Sequence, residues 1–259
     1  MRVGIPKEIK NREYRVSATP DCVRAYRSAG HEVLVQQGAG LGAGYDDAAY
    51  AAAGAKLVSA ARDVWANADM IVKVKEPLPD EYELLQSHQT LFTYLHLAAV
   101  PDLAEALMRK QVTAIAYETI ELADGSLPCL TPMSAIAGRL AVQQGAKYLE
   151  RPFGGRGVLL GGVPGVQRGR VVIVGGGVVG THAAKMAVGL GAEVTILELS
   201  QRRLSELDDL FGGRAQTLVS NEANLTHALA DADLVIGAVL ITGARAPKVI
   251  RREHVERML

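Results

Sequence analysis

Val171-Val172-Ile173-Val174-Gly175-Gly176-Gly177-Val178-Val179-Gly180 is the stretch that decides the fold. Four consecutive β-branched residues read as a strand buried on both faces, as in a parallel sheet. They run straight into a G-x-G-x-x-G turn. Gly175 allows the tight turn, Gly177 lets the backbone approach a pyrophosphate, and Gly180 lets the following helix pack closely on the strand. Free N–H groups at the helix start, around Val178 and Val179, then face the anion. The pattern predicts a helix over Thr181–Leu190, a stop at Gly191 and a second apolar strand, Glu193–Leu197, closed by Glu198. An acid at this position can accept from the ribose hydroxyls of adenosine. Glycine-rich turns also close ordinary loops; the ordered strand, helix, strand and acid are what point to a dinucleotide.

Lys plus Arg (28) equals Asp plus Glu (28) in the 259 residues, so no charge excess marks a partner such as nucleic acid or an anionic membrane. Cys22 and Cys129 lie far apart with no C-x-x-C or Cys/His spacing, which predicts thiols of a reducing compartment and no metal site. The opening MRVGIPKEIK meets proline and charge too early for a signal peptide. The longest apolar stretch, around Leu234 to Gly243, is too short to span a bilayer. A cytoplasmic protein is expected.

Upstream of the glycine turn, β-branched runs alternate with helical patterns. Strands are expected at Val3–Ile5, Glu32–Val35, Asp69–Val74, Thr90–Tyr94 and Thr113–Ala116. Helices are expected at Pro20–Ala29, Asp46–Ala53, Ala60–Ala68, Asp80–Leu85 and Asp102–Lys110. This alternation predicts a parallel sheet covered on both faces. A long helix, Ser134–Leu149, leads into GGRGVLLGGVPG, which suits a hinge or interdomain crossing. The expected class is therefore α/β, with two Rossmann-like domains split near residue 131: residues 1–130, and residues 131–259 carrying the dinucleotide turn. The second half continues with a helix at Arg202–Leu210, a strand at Gln216–Val219, a helix at Glu222–Ala230, a strand at Leu234–Gly237 and a helix at Arg251–Leu259. A six-stranded dinucleotide domain would need about two more strands, so the chain reads as a truncated protein or fragment.

Three side chains of the first half stand at strand ends or in the loops beyond them, where open α/β sheets place ligand sites. Arg15, in PKEIKNREYRVSATP, has a planar fork that could clamp a small carboxylate, or could be merely solvated. Strand alternation puts Lys73 and Lys75 on one face; one could polarise a carbonyl, and the other would then be solvated. His96 follows LFTYL and could be a general acid/base or a satisfied core imidazole.

The segments GIPKEIKNREYRVSATP, VKVKEP, TYLHLA, TPMSAIAGRLAVQQGA, GVLLGGVPGV and VVIVGGGVVGTHAAKMAVGLGA occur in order along essentially the whole chain. In this the sequence resembles the alanine dehydrogenases. The resemblance implies a substrate domain and an NAD domain with catalysis in the cleft between them, reversible oxidative deamination of L-alanine to pyruvate and ammonia, and a homohexamer. It further implies that Arg15 binds the substrate carboxylate, Lys75 its carboxylate or carbonyl oxygen, and that His96 is the acid/base with Met133 nearby. On the cofactor side it implies Ser134 and the glycine turn at the phosphates, Glu198 on the adenosine ribose with Arg203 beside it, Ser220 near the adenine, and Val239 and Leu240 beside the nicotinamide.

The sequence departs from the family pattern at Ala135, where an acid is usual, and at His182, where a small or amide side chain is commoner; local effects are expected. In the family, a further C-terminal part supplies an active-site aspartate, an asparagine near the nicotinamide and a helix returning to the substrate domain. Two other readings follow. One is a transhydrogenase-type NAD(H)-binding subunit, which shares the opening and the glycine turn but needs no substrate histidine. The other is an NAD-binding fragment that is inactive by itself.

Overall fold

A computed structural model of the chain describes residues 1–241 and 246–258. The chain divides into two compact units, Met1–Cys129 and Leu130–Leu259.

The first unit is an α/β layer structure. Strands β1 (Arg2–Ile5), β2 (Glu32–Gln36), β3 (Lys56–Val58), β4 (Met70–Val72), β5 (Thr90–Thr93) and β6 (Thr113–Ala116) alternate with helices. These are α1 (Pro20–Ser28), α2 (Asp47–Ala52), α3 (Ala61–Asn67), α4 (Pro79–Tyr82) and α5 (Pro101–Lys110). The strands form one parallel sheet in the order β3-β2-β1-β4-β5-β6. Its two faces bury different apolar sets. Val64, Trp65, Ile71, Leu91, Leu103 and Leu107 pack on one side; Ile5, Val23, Val33, Val35 and Tyr50 pack on the other. Strand order reverses between β1 and β4, and there the loops leaving adjacent strands part to opposite sides and leave a crevice.

The helix starts follow from local chemistry. The Thr19 side chain accepts from the Cys22 N–H ahead of Pro20, and Asp46 accepts from Ala49. Edge strand β3 is absent from the expectations because three residues, two of them half-buried, carry too little periodicity to announce a strand. Strands β4 and β5 are shorter than expected. β4 stops at Val72, although the Lys73 N–H still donates to the Phe92 carbonyl at 3.1 Å.

The second unit contains α6 (Thr131–Tyr148), β7 (Arg170–Val174), α7 (Val178–Gly189), β8 (Glu193–Glu198), α8 (Gln201–Phe211), β9 (Gln216–Val219), α9 (Glu222–Ala230), β10 (Leu234–Gly237) and α10 (Arg252–Glu256). Its parallel sheet has the order β10-β7-β8-β9. Helix α7 begins at Val178 rather than Thr181, so Gly180 lies inside it. A Cβ there would collide with the Gly175 carbonyl. The glycine-rich segment 154–165 is wholly internal to this unit, which corrects its reading as an interdomain crossing. It is anchored because Leu160 is buried in the unit's main core. The expected last helix shortens to α10, and Leu259 lies outside the described residues.

Lys73 departs most from expectation. Its side chain is 1% exposed, lying 2.8 Å from Glu81 and 3.3 Å from Glu8. A buried ammonium persists only with anionic partners, and two are supplied here. Burial pushes the Glu8 carboxyl up, against the opposing pull of Lys73. Lys73→Met leaves both carboxylates without their cation and should cost about 3–5 kcal/mol. Urea unfolding measures this, and an unchanged midpoint would show that the buried ion set does not hold the unit together.

Candidate active site

In the first unit the expected residues collect at the carboxyl edge of the sheet, in segments that follow β1, β4 and β5. Glu8, beyond β1, accepts from the Val74 N–H at 2.6 Å and the Lys75 N–H at 3.4 Å. It therefore holds the backbone that carries Lys75. Lys75, half-buried, accepts from the Thr93 hydroxyl at 3.0 Å through its carbonyl, which joins the ends of β4 and β5. Ser17 donates to the Val72 carbonyl at 2.7 Å and fastens the Arg15 loop to the same edge.

Arg15 makes a bidentate clamp, but on a carboxylate of this chain. Its Nε donates to Glu13 Oε1 at 2.8 Å and its Nη2 to Oε2 at 2.6 Å. Glu13 thus presents to the fork the same planar anion that a carboxylate ligand would. The guanidinium hydrogen bonds hold the Glu13 carboxyl down to about 2, and they raise Arg15 in turn.

His96 follows β5 with a left-handed backbone at φ 50°. This region is uncommon for any residue but glycine, and it persists where the surroundings hold it. Glu118, beyond β6, holds it: its Oε1 accepts from the His96 N–H at 2.6 Å and from the Leu95 N–H at 3.0 Å. The ring is 39% exposed, and its Nδ1 lies 3.0 Å from Glu76 Oε2. Tyr94 stacks beside it with centroids 6.2 Å apart, and burial raises the Tyr94 hydroxyl.

In the second unit, Gly175 turns with φ 107° and Gly180 packs against it, while nothing lies within 4 Å of the position a Gly177 side chain would take. The backbone at Gly177 thus opens the start of α7 toward free space, and helix N-termini of this kind suit an anion. Glu198, ending β8, accepts from Gly176 N–H at 2.7 Å, Leu199 N–H at 2.8 Å and Ser200 N–H at 3.0 Å. Its Oε2 retains a lone pair for a ribose hydroxyl. Arg203 buttresses the turn, with Nε donating to the Gly176 carbonyl at 2.8 Å and Nη2 to the Thr181 hydroxyl at 2.7 Å. The Ser220 N–H donates to the Glu198 carbonyl at 2.9 Å. Val239 follows Ala238, whose N–H donates to the Val174 carbonyl at 2.7 Å; Leu240 is exposed. Met133 and Ser134 lie in the first turn of α6.

The structure thus gathers Arg15, Lys75 and His96 on one sheet edge, and the glycine turn with Glu198, Arg203 and Ser220 on another. Sequence reasoning missed the carboxylates that hold the first group: Glu8, Glu13, Glu76 and Glu118. Glu8, Glu13 and Glu76 stand in charged segments, where acids are usually solvated, and Glu118 stands in a short 3₁₀ turn, Tyr117–Thr119, with no pattern to mark it. A separate trio, Glu222, Glu253 and His254, places three possible ligand atoms within 4.8 Å of one another. Arg251 already pairs with both of its carboxylates.

The family model described as "Alanine dehydrogenase/PNT, N-terminal domain" matches residues 4–137, and that described as "Alanine dehydrogenase/PNT, C-terminal domain" matches 141–259. An alanine dehydrogenase of Methanococcus maripaludis is 57% identical over 258 residues, covering 100% of this chain and 69% of the relative. A solved L-alanine dehydrogenase superposes with TM-score 0.92 at 59% identity, covering 100% of this chain and 72% of that one. A transhydrogenase from Sinorhizobium meliloti superposes with TM-score 0.82 at 26% identity, covering 100% of this chain and 75% of that one.

The Glu13–Arg15 pair carries a pH signature. Because Glu13 is depressed in the folded state, its stabilisation is complete above pH 4.5 and is lost as pH falls towards about 2. Arg15→Gln should flatten the fall of the urea midpoint across that window, and parallel curves for the two proteins would show that the pair is not formed in solution.

Proposed function

The chain belongs to the alanine dehydrogenase/PNT family, and from that premise we propose that it works as an alanine dehydrogenase, interconverting L-alanine with pyruvate and ammonia. The observation that carries this reading over a hydride-passing transhydrogenase subunit is the held imidazole. His96 is fixed through its backbone by Glu118 and through its ring by Glu76, beside Arg15 and Lys75 on the same sheet edge. A transfer between two nicotinamides needs no such proton-handling group. Identity points the same way, at 57% with an alanine dehydrogenase against 26% with a transhydrogenase.

The second unit suits NAD. The glycine turn would hold the pyrophosphate and Glu198 the adenosine ribose, with Arg203 stiffening the turn. Ser134 would lie at the phosphates, Ser220 near the adenine, and Val239 and Leu240 beside the nicotinamide. NAD, when bound, supplies the acceptor for the hydride that leaves the alanine α-carbon.

Arg15 binds the substrate carboxylate, which competes with Glu13 for the guanidinium fork. Lys75 steadies the carboxylate or carbonyl oxygen from the end of β4. His96 takes a proton from the water that adds to the iminium carbon and returns it when ammonia leaves. Substrate and product are small, so positioning rests on these charged contacts.

Among the described residues no helix is long and apolar enough to cross a membrane. The free thiols of Cys22 and Cys129 suit a reducing compartment, and the proposal places the enzyme in the cytoplasm. Assembly as a homo-oligomer, a hexamer by family resemblance, is part of it; exposed Ile136 and Leu140, one turn apart on α6, support a further contact.

In the protein carrying this chain, His96→Ala should lower alanine-dependent NADH formation by roughly 10²–10⁴-fold while NAD binding stays near normal. Unchanged turnover per folded molecule would remove His96 from the chemistry.

Cofactor choice follows from Glu198. Its charge would face a 2′-phosphate at ~4 Å; with an effective dielectric of ~20 the repulsion is about 4 kcal/mol, close to a thousandfold preference for NAD over NADP. Arg202 and Arg203 soften it. Equal kcat/KM for the two cofactors would mean that the acid does not face the ribose.

A further inference from the structure

We infer that Glu76 is the positioning residue for His96: its carboxylate fixes which ring nitrogen carries the hydrogen, and Lys10 holds Glu76 in turn. This rests on the reading of His96 as the acid/base.

Glu76 follows β4 and is only 5% exposed, whereas the His96 side chain it touches is 39% exposed. One carboxylate oxygen, Oε2, lies 3.0 Å from His96 Nδ1; the other, Oε1, accepts from Lys10 Nζ. Burial works to raise this carboxyl, but the hydrogen bonds from Lys10, its own backbone and His96 outweigh burial, and the net shift is downward. An ionised carboxylate can only accept. In the neutral ring Nδ1 must therefore carry the hydrogen, which leaves Nε2 as the bare lone pair a general base needs.

The remaining freedom of the ring is removed independently. The left-handed backbone of His96 is held by Glu118, and the Tyr94 ring lies alongside with an interplanar angle of 28°. Glu118 thus sets where the imidazole starts, Tyr94 sets its plane, and Glu76 sets its rotation and tautomer. Only the last of these reaches the protonation pattern of the ring. The Lys10 ammonium, partly exposed itself, offsets the charge of a carboxylate that water hardly reaches. Among the described residues this chain of contacts runs from solvent at Lys10, through Glu76, to the imidazole.

The test is Glu76→Gln in the protein carrying this chain, because the amide keeps the shape and can turn its NH₂ toward Nδ1. Nitrogen-15 NMR of the histidine rings reads the tautomer directly, with the His96 signal assigned by His96→Ala. The expected result is a neutral parent ring protonated at Nδ1 and a Glu76→Gln ring shifted toward Nε2–H. Alanine turnover should then fall in kcat by roughly 10²-fold or more, with KM for alanine within about threefold and the urea midpoint unchanged. Glu76→Asp, which keeps the charge, should recover part of kcat.

An Nε2–H tautomer in the parent would overturn the inference. So would a Glu76→Gln variant that keeps both the parent tautomer and the parent kcat. If Glu76→Gln fails to fold, the parent tautomer and the Glu76→Asp kinetics decide the matter by themselves. Failure of the underlying reading looks different: His96→Ala would keep its turnover while Glu76→Gln still switched the ring.

Discussion

The ammonium of Lys73 is buried almost completely between two carboxylates, and the working edge of the first sheet is built outward from it. A charge in that position cannot be left alone, because removing it from water costs several kcal/mol that only close anions repay. Glu8 supplies one and Glu81 the other. Glu8 also accepts from the Val74 N–H and so fixes the chain between β4 and Lys75. Glu81 accepts from the Leu78 N–H at 3.0 Å and starts the short helix α4. One buried cation thereby ties the segment after β1, the segment after β4 and α4 into a single piece, and Lys75 and Glu76 come out of that piece with their backbone already placed.

The sheet orders explain why the two candidate clusters form where they do. In the first unit β1 lies between β2 and β4, and in the second β7 lies between β8 and β10. Loops leaving the central strand and its later-joined neighbour diverge at those points. Glu8 and Lys75 flank the first opening; the glycine turn and Ala238–Val239 flank the second. Both units use the same topological device, yet they line it with opposite materials. The first opening is dense with charged side chains, whereas the second offers backbone N–H groups and one terminal acid.

Legibility in the sequence tracks how local each determinant is. The strand Val171–Val174 and the glycine turn are local, and their reading stands in the structure nearly residue for residue, apart from a helix that starts at Val178. That shift is itself informative: glycine is a poor helix former, so the pattern delays the helix past Gly180, whereas close packing on Gly175 is what requires glycine there. Strand β3 is illegible because its pairing with β2, not its three residues, makes it a strand. Lys73 is misread for a related reason. Alternation predicts that it faces the same way as Lys75, but nothing in the local pattern shows that Glu8, 65 positions earlier, and Glu81 will converge on it. The same holds for Glu76 and Glu118, whose roles appear only when the ends of β4, β5 and β6 are side by side.

The order β10-β7-β8-β9 also sets a schedule for a chain made from its N-terminus. Strand β7 acquires β8 soon after synthesis, but its other neighbour, β10, comes after both β8 and β9 in the chain. At ~5–20 residues per second, the roughly sixty residues between the end of β7 and the end of β10 take about 3–12 s to appear. Throughout that interval the most apolar strand of the unit presents one bare hydrogen-bonding edge. On the ribosome, this half-built sheet is therefore the stage at which a chaperone would find the nascent protein most in need of cover.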